Sequence, residues 1–397
     1  AVLELLTIKI QQMTIESTND NIPTPPAITY SECYAQVFSH RFPYRWTLKD
    51  ANFTKDKGKV FSCFACGGGS TMGYKLAGFD VIGCNEIDPK MMEAYKANHN
   101  PKYAYLEPIQ TFKMREDLPQ ELYELDILDG SPPCSSFSMA GNREKDWGKK
   151  KKFREGQAEQ VLDNLFFDFI DLAKKLQPKV VIAENVKGLL LGKAKQYVRQ
   201  IYREFDLAGY YCQHWLLDAS KMGVPQRRER VFFIALRKDL AEPFMEQVDM
   251  FTVLPKLKLE FDEPQINFGE FYEAGVDDRP ASQGKMYEYW QNRQKGDESF
   301  CDTIKRVEGS ERCFTNKYLY SDIVPMTYTS NSDVIYLFDE YRKPNKTESC
   351  CIGSYPQDYN FTGVQYNYLI GMSVPPVMTA NIATEIYLQW LSKLARS

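Results

Sequence analysis

The sequence predicts an α/β fold built on a doubly wound, mostly parallel sheet. Three observations carry this reading. Apolar strand-like runs alternate with helical stretches from Lys59 to Lys238, the rhythm of parallel strands joined by crossover helices. A glycine turn, Cys66-Gly67-Gly68-Gly69, separates the first strand from the first helix. Chemically capable side chains (Glu86, Cys134, Glu184) then follow strand after strand, at the carboxyl ends where such sheets receive ligands.

The elements follow in order. Val60-Phe61-Ser62-Cys63-Phe64 suits a buried strand, with a helix after it to Ala77 and Gly78 as its C′ residue. Val81 to Glu86 is a second strand, and Pro89 opens a helix running through Ala97. Leu125 to Leu128 is a strand, Gln160 to Leu176 a helix stopped before Pro178, Val180 to Ala183 a strand, Lys195 to Ala208 a helix, and Val231 to Leu236 a strand. After Lys238 the rhythm stops. Residues 239–340, mixed and aromatic, read as a second, smaller domain set between the two parts of the main one, 58–238 and 341–397. The main domain closes with an amphipathic helix from Val377 to Leu391 after Pro375-Pro376. Residues 1–57, with Pro23, Pro25, Pro26 and Pro43, carry no motif and read as an arm packed on the domain.

Composition narrows the function. A hydrophobic fraction of 43% in 397 residues supports a large core, and no run approaches a membrane-spanning length. Ala1-Val2-Leu3-Glu4 has neither the charged nor the apolar region of a signal peptide, so a cytoplasmic protein with ten reduced cysteines is expected. The net charge of -4 argues against non-specific coating of nucleic acid. Two local basic patches remain, Lys145 to Arg154 around Lys149-Lys150-Lys151-Lys152, and Gln226-Arg227-Arg228-Glu229-Arg230. Cys63 and Cys66 form a Cys-x-x-Cys without a second ligand pair at metal spacing, so no metal is expected.

Pro132-Pro133 fixes the backbone just before Cys134, so that thiol is aimed, and a thiolate there is a candidate nucleophile. The glycine turn lets a ligand approach the backbone at a helix N-terminus, and Glu86 is placed to accept from a ribose. The spacing fits neither a Walker loop nor Gly-x-Gly-x-x-Gly, which favours a nucleoside cofactor without pyrophosphate. Glu184 ends a buried strand and is expected near Cys134. Arg228 and Arg230, two apart at a strand entry, point to one side.

Taken together, the ordered set Phe64-Ala65-Cys66-Gly67-Gly68-Gly69, Pro132-Pro133-Cys134, Glu184-Asn185-Val186, Gln226-Arg227-Arg228-Glu229-Arg230 and Gly371-Met372-Ser373-Val374-Pro375-Pro376 resembles the cytosine-C5 DNA methyltransferases. The resemblance implies a Rossmann-like S-adenosylmethionine domain, with residues 239–340 as target-recognition domain. It implies that Cys134 attacks C6 of a flipped cytosine, that Glu184 holds N3 and the amine, that Arg230 contacts O2, and that Arg228 supports the cysteine region. S-adenosyl-L-methionine would lie against Phe64, Ala65, Cys66, Gly67, Gly68, Gly69, Glu86, Ile87, Pro133, Ser373 and Val374. Ser138 to Arg154 matches the mobile catalytic loop. The implied partner is double-stranded DNA, bound by a monomer in the cytoplasm of a bacterium or phage, with a cognate restriction enzyme encoded separately.

Three positions depart from the family pattern. Cys66 replaces a glycine, Met372 an asparagine, and Pro108 the aspartate that binds the adenine amine, leaving that role to Glu107 or a backbone group. The tRNA cytosine-C5 methyltransferases share these motifs; the 239–340 insertion favours DNA. Amino-group methyltransferases need an aromatic residue where Cys134 stands. Lys305, Arg306, Arg312, Asn316 and Lys317 are candidate base readers.

Overall fold

A computed structural model describes residues 40–133, 150–151, 160–161, 164–191, 194–250, 252–278, 284–310 and 316–394. Strands β1 (Lys59–Cys63), β2 (Asp80–Glu86), β3 (Tyr103–Leu106), β4 (Ile127–Gly130), β5 (Val180–Val186), β6 (Tyr210–Asp218) and β7 (Glu229–Arg237) form one sheet. Its order is β3-β2-β1-β4-β5-β7-β6. The first five strands are parallel, and β7 runs antiparallel to both β5 and β6. The order reverses between β1 and β4, which stay paired, so the connections leaving their carboxyl ends run to opposite sides and leave a crevice there.

The apolar runs are continuous because both faces of the sheet are covered. On one face Phe61, Leu128, Val181 and Phe233 pack under helices α4 (Leu165–Leu176) and α5 (Ala194–Leu207), through Phe169, Leu172, Ile201 and Phe205. On the other, Val60, Ile127, Ile182 and Ile234 meet α1 (Gly69–Leu76) and α10 (Pro376–Ile386), through Tyr74, Met378, Ile382 and Ile386. The predicted doubly wound α/β class is the observed one.

Local signals set the helix ends. Helix α1 starts from Gly68 at φ 85° and stops at Ala77, with Gly78 at φ 94° beyond it, a left-handed value that glycine adopts without strain. Helix α2 (Pro89–His99) has Pro89 in its first turn, and Asp88 accepts from the N–H groups of Lys90 and Met91. Two expected spans shift. The helix expected from Gln160 starts only at Leu165, since Gln160–Val161 pair as a short strand with Lys150–Lys151. The helix expected through Leu391 changes to a π turn over Tyr387–Leu391. β3 and β6 were not foreseen. They are the two outer strands of the sheet, half covered; β3 is only four residues long, and Gln213 and His214 interrupt the apolar run of β6.

The short helix α3 (Ile109–Phe112) lies between β3 and β4, and beyond β7 come helices α6 (Lys285–Gln291) and α7 (Phe300–Glu308) and the parallel pair β8 (Lys317–Leu319) and β9 (Ile335–Leu337). Tyr289, Phe300, Ile304, Tyr318 and Tyr336 make a small aromatic core there. Leu319, Tyr328, Ile335 and Leu337 instead share a core with Trp46, Tyr355 and Leu369. Trp46 also donates to the Ser354 carbonyl at 2.9 Å, so part of the expected N-terminal arm is packed in place.

Candidate active site

The loop after β1 reaches its shape through two strained residues and distant side chains. Phe64 has φ 53° and Cys66 φ 49°, values that cost an L-residue energy unless its surroundings impose them. Here the Ala65 N–H donates to the Asn85 carbonyl (3.3 Å), the Gly68 N–H to the Ala65 carbonyl (2.8 Å) and the Cys66 N–H to Glu86 Oε2 (2.7 Å). The Gly67 carbonyl accepts from Tyr359 Oη (2.5 Å) and lies 3.2 Å from His99 Nε2. A Cβ on Gly69 would stand 2.4 Å from the Val374 carbonyl, and one on Gly67 would stand 2.7 Å from Tyr359 Oη. The Ser373-Val374 turn thus rests directly on the glycine loop. Cys66 fits in place of a glycine because its sulfur has room beside Met91 Sδ, at 3.6 Å. Burial, then the nearby Glu86 charge, push its thiol up to about 12, and burial also pushes the Cys63 thiol well above its ordinary value. Both therefore stay protonated near neutral pH.

Glu86 ends β2 almost wholly buried. Its Oε2 takes the Cys66 N–H, and its Oε1 takes those of Ile87 (2.8 Å) and Asp88 (2.9 Å). Burial raises its pKa against the pull of these three donors. A carboxylate has about four acceptor sites, so one remains on Oε2 for a hydroxyl at the crevice, which suits a ribose. Leu106, opposite Glu86 on β3, leaves 49% of its surface exposed at the same edge. Pro108 caps the short α3, and the Glu107 carboxylate is engaged by Arg115 at 3.1 Å. Met372 is exposed, while Ser373 is buried; its Oγ accepts from Tyr355 Oη (2.6 Å) and donates to the Leu369 carbonyl (2.9 Å).

Asp129, on β4 between the two sides, escaped the sequence reading. Ser70 Oγ (2.7 Å) and Ser62 Oγ (2.8 Å) donate to its Oδ2, and Tyr74 Oη (3.0 Å) to its Oδ1. Burial raises its pKa to about 6, with these three donors pulling the other way and Glu184 adding to the rise. This carboxylate ties β1, β4 and the first turns of α1 together just below the crevice.

On the far side Gly130 pairs in register with Ala183 of β5, which carries Glu184 one residue further toward the crevice. Asn185 Nδ2 donates to the Pro132 carbonyl at 3.0 Å and so holds the Pro-Pro step. Cys134 lies outside the described residues, as do residues 138–149 and 152–154 of the lysine-rich loop. Arg230 lies opposite Val186 on β7, which puts it diagonal to Glu184 on the same face. Its Nε lies 3.0 Å from Glu184 Oε1, with both side chains mostly buried. Burial lowers the Arg230 pKa, and Glu184 opposes that shift. Arg228 is expected to support the Cys134 region, which lies outside the described residues. Its described partners are Gln226 Oε1 (3.3 Å) and the carbonyls of Tyr328 (2.6 Å), Gly371 (3.1 Å) and Ser373 (3.0 Å).

Residues 58–388 match the family model described as C-5 cytosine-specific DNA methylase. The chain belongs to that family. Type II methyltransferase M.FnuDI of Fusobacterium nucleatum is 38% identical over 182 residues, 46% of this chain and 48% of that one. Type II methyltransferase M1.HphI of Haemophilus parahaemolyticus is 26% identical over 334 residues, 81% of this chain and 85% of that one. The chain spans about half the length of M.FnuDI and of Type II methyltransferase M.NgoPII of Neisseria gonorrhoeae. Among solved structures, DNMT2 of Spodoptera frugiperda superposes with a TM-score of 0.55 at 18% identity, covering 83% of this chain and 99% of that one, which shows the shared fold.

In this family member, sequence reasoning placed Glu86, Glu184, Arg230 and the glycine loop at the carboxyl edge of the sheet, and the structure has them there with the Ser373-Val374 turn against the glycine loop. It named Asn185 and Gln226 only as members of motifs, without a role, and it missed Asp129, His99, Tyr355 and Tyr359. Of the candidate base readers, Arg306 is committed to Asp297 (2.6 Å) and the Asn292 carbonyl (2.9 Å). Arg312 lies outside the described residues, and Lys317 lines an open cleft of about 540 Å³. No described helix is long and apolar enough to cross a membrane.

Proposed function

We propose that this chain is a DNA (cytosine-5)-methyltransferase that modifies a cytosine within a specific duplex sequence through a cysteine adduct. The observation that supports it most is the Glu184–Arg230 pair at 3.0 Å, with Glu184 on β5 next to Asn185, which holds the Pro132 carbonyl of the Pro-Pro step at 3.0 Å. Oxygen acceptor and guanidinium on one face suit the N3, amine and O2 edge of cytosine, reached only once the base leaves the stack.

The Cys134 thiolate adds its sulfur lone pair to C6, and the ring electrons move toward C5. Glu184 holds N3 and the amine, and a proton shared with N3 offsets the growing negative charge. Arg230 contacts O2 and keeps Glu184 turned toward the ring. S-adenosylmethionine, when bound, supplies the methyl group as an electrophile. Glu86 would hold its ribose hydroxyls. Phe64, Ile87, Ala65, Cys66 and the three glycines, with Pro133, Ser373 and Val374, would enclose the rest. Loss of the C5 proton to a base, with cleavage of the S–C6 bond, restores the aromatic ring and frees Cys134. Residues 239–340 serve as the target-recognition domain, and residues 58–238 with 341–397 as the catalytic one. The enzyme acts as a cytoplasmic monomer on chromosomal or phage DNA beside a separately encoded restriction enzyme.

The test is expression in a methylation-free host followed by bisulfite sequencing. One defined sequence context should carry 5-methylcytosine. Folded protein with unmodified DNA ends the reading, and modified tRNA in its place moves the substrate to RNA. An oligonucleotide with 5-fluorocytosine at the target should trap a covalent adduct that Cys134→Ala abolishes.

A further inference from the structure

The start of β7 grips a segment about one hundred residues away as a neighbouring strand would. The Arg227 N–H donates to the Pro325 carbonyl (2.8 Å), and Thr327 Oγ1 to the Arg227 carbonyl (2.6 Å). Gln226 Oε1 accepts the Tyr328 N–H (2.8 Å), while Arg228 Nη1 donates to the Tyr328 carbonyl (2.6 Å). Two buried side chains therefore satisfy both main-chain groups of one residue. Gln226 Nε2 adds a bond to the Ile352 carbonyl at 3.0 Å.

The other fork of Arg228 reaches the opposite way. Its Nη2 bridges the Gly371 and Ser373 carbonyls. Gly371 presses on the gripped segment, since a Cβ there would fall 2.1 Å from the Thr329 carbonyl. The same turn carries Ser373 and Val374, which rest on Cys66 and Gly69 of the glycine loop. A single guanidinium thus spans two walls. One is the 326–329 segment, which faces the open cleft with Arg227 and Lys317. The other is the turn that backs the cofactor loop.

No carboxylate pairs with Arg228 among the described residues; its acceptors there are carbonyls and an amide, and its Nε finds no partner. A guanidinium 3% exposed without an anion is costly to keep. A plain packing role would be served at less cost by an apolar side chain. What an apolar residue or a lysine cannot do is hold three carbonyls in fixed directions, which needs the planar fork of arginine.

We propose that Arg228, with Gln226, is a positioning residue that couples the two walls, so that duplex in the cleft and cofactor on the loop each favour the arrangement the other needs. This rests on the DNA methyltransferase reading. Coupling of this kind is reciprocal and commonly amounts to about 5- to 150-fold in affinity. The alternative role for Arg228, a charge that lowers the Cys134 pKa, depends only on the cation and survives in lysine.

The experiment uses the full chain and a duplex bearing the context found by bisulfite sequencing. The duplex Kd is measured by anisotropy with and without S-adenosylhomocysteine, and the S-adenosylhomocysteine Kd by calorimetry with and without duplex. The wild-type protein should show the same factor, about tenfold, in both directions. Arg228→Lys and Gln226→Met, checked as folded by their melting curves, should bring it close to one. A wild-type factor of one overturns the proposal, and so does a folded Arg228→Lys or Gln226→Met protein with the wild-type factor. If Arg228→Lys fails to fold, Gln226→Met decides alone. Failure of the underlying reading looks different: wild-type protein would then leave no 5-methylcytosine in DNA.

Discussion

The crevice is flanked by two carboxylates held in unlike ways. Glu86 is wired by the main-chain N–H groups of Cys66, Ile87 and Asp88, whereas Glu184 meets, among the described residues, the side-chain guanidinium of Arg230. Main-chain donors cannot turn away, so Glu86 is a fixed feature of the wall. A side-chain cation can shift toward an arriving polar edge, so Glu184 can exchange part of its pairing for a base. The difference separates a residue built to hold from one built to take part in chemistry. Asp129 stands between them in a third condition, surrounded by hydroxyls that tolerate either protonation state.

Glu184→Gln tests the reactive side most severely. It removes the proton carrier and leaves Arg230 buried without its anion. The single-turnover methylation rate should fall about 10²- to 10⁴-fold, and the melting temperature should drop as a buried pair is broken. Retention of a tenth of the rate would sink the assignment of Glu184 to the chemistry.

Asp129 gives the next effect. Its folded pKa of about 6 lies above the 3.8 of a free aspartate, so the native state holds the proton more tightly between these values. Stability from this group is therefore fully present below pH 3.8 and lost as pH rises to 6, by about 3 kcal/mol in all at about 1.4 kcal/mol per pKa unit. Asp129→Asn should remove that downward slope in urea unfolding measured from pH 4 to 7. An unchanged slope would show that the carboxylate ionises without penalty.

His99 works in the opposite direction. Buried against the Gly67 carbonyl with Nδ1 unpartnered, its pKa falls from 6.5 to about 3. The unfolded chain then binds the proton first. Stability is complete above pH 6.5 and lost as pH falls, by about 2 kcal/mol at pH 5. In the wild-type protein the two slopes oppose each other between pH 4 and 6. His99→Gln should uncover the Asp129 slope, and Asp129→Asn the histidine slope. If His99→Gln leaves the profile unchanged, the ring is not the group that resists protonation.

The sequence revealed the part of the site that lies along strands. Glu86 and Glu184 are acids at the ends of apolar runs, and the glycines mark a turn where backbone is approached closely, so residue type and position together disclosed them. Asn185 was visible as part of a motif, but its bond to the Pro132 carbonyl was not. Gln226, Tyr359 and His99 act through bonds to main-chain carbonyls or N–H groups far away in sequence. A main-chain group has no residue identity, so such a bond leaves no spacing or composition behind. Asp129 reads as an ordinary acid in a strand until Ser62, Ser70 and Tyr74 are seen to converge on it. The outer strands β3 and β6 stayed hidden for a related reason, since a half-covered strand needs no continuous apolar run.

The Gly67 carbonyl that accepts from Tyr359, 292 positions away, also bears on how the protein is made. Bringing such distant segments together is slow because chain entropy must be lost before any contact rewards it. The strands near the glycines can pair early, during synthesis. Their turn is completed only when the stretch from Tyr355 to Val374 has left the ribosome and come back across the sheet. A nascent chain that has not yet reached Tyr355 carries every glycine of the loop and lacks the fixings from that stretch.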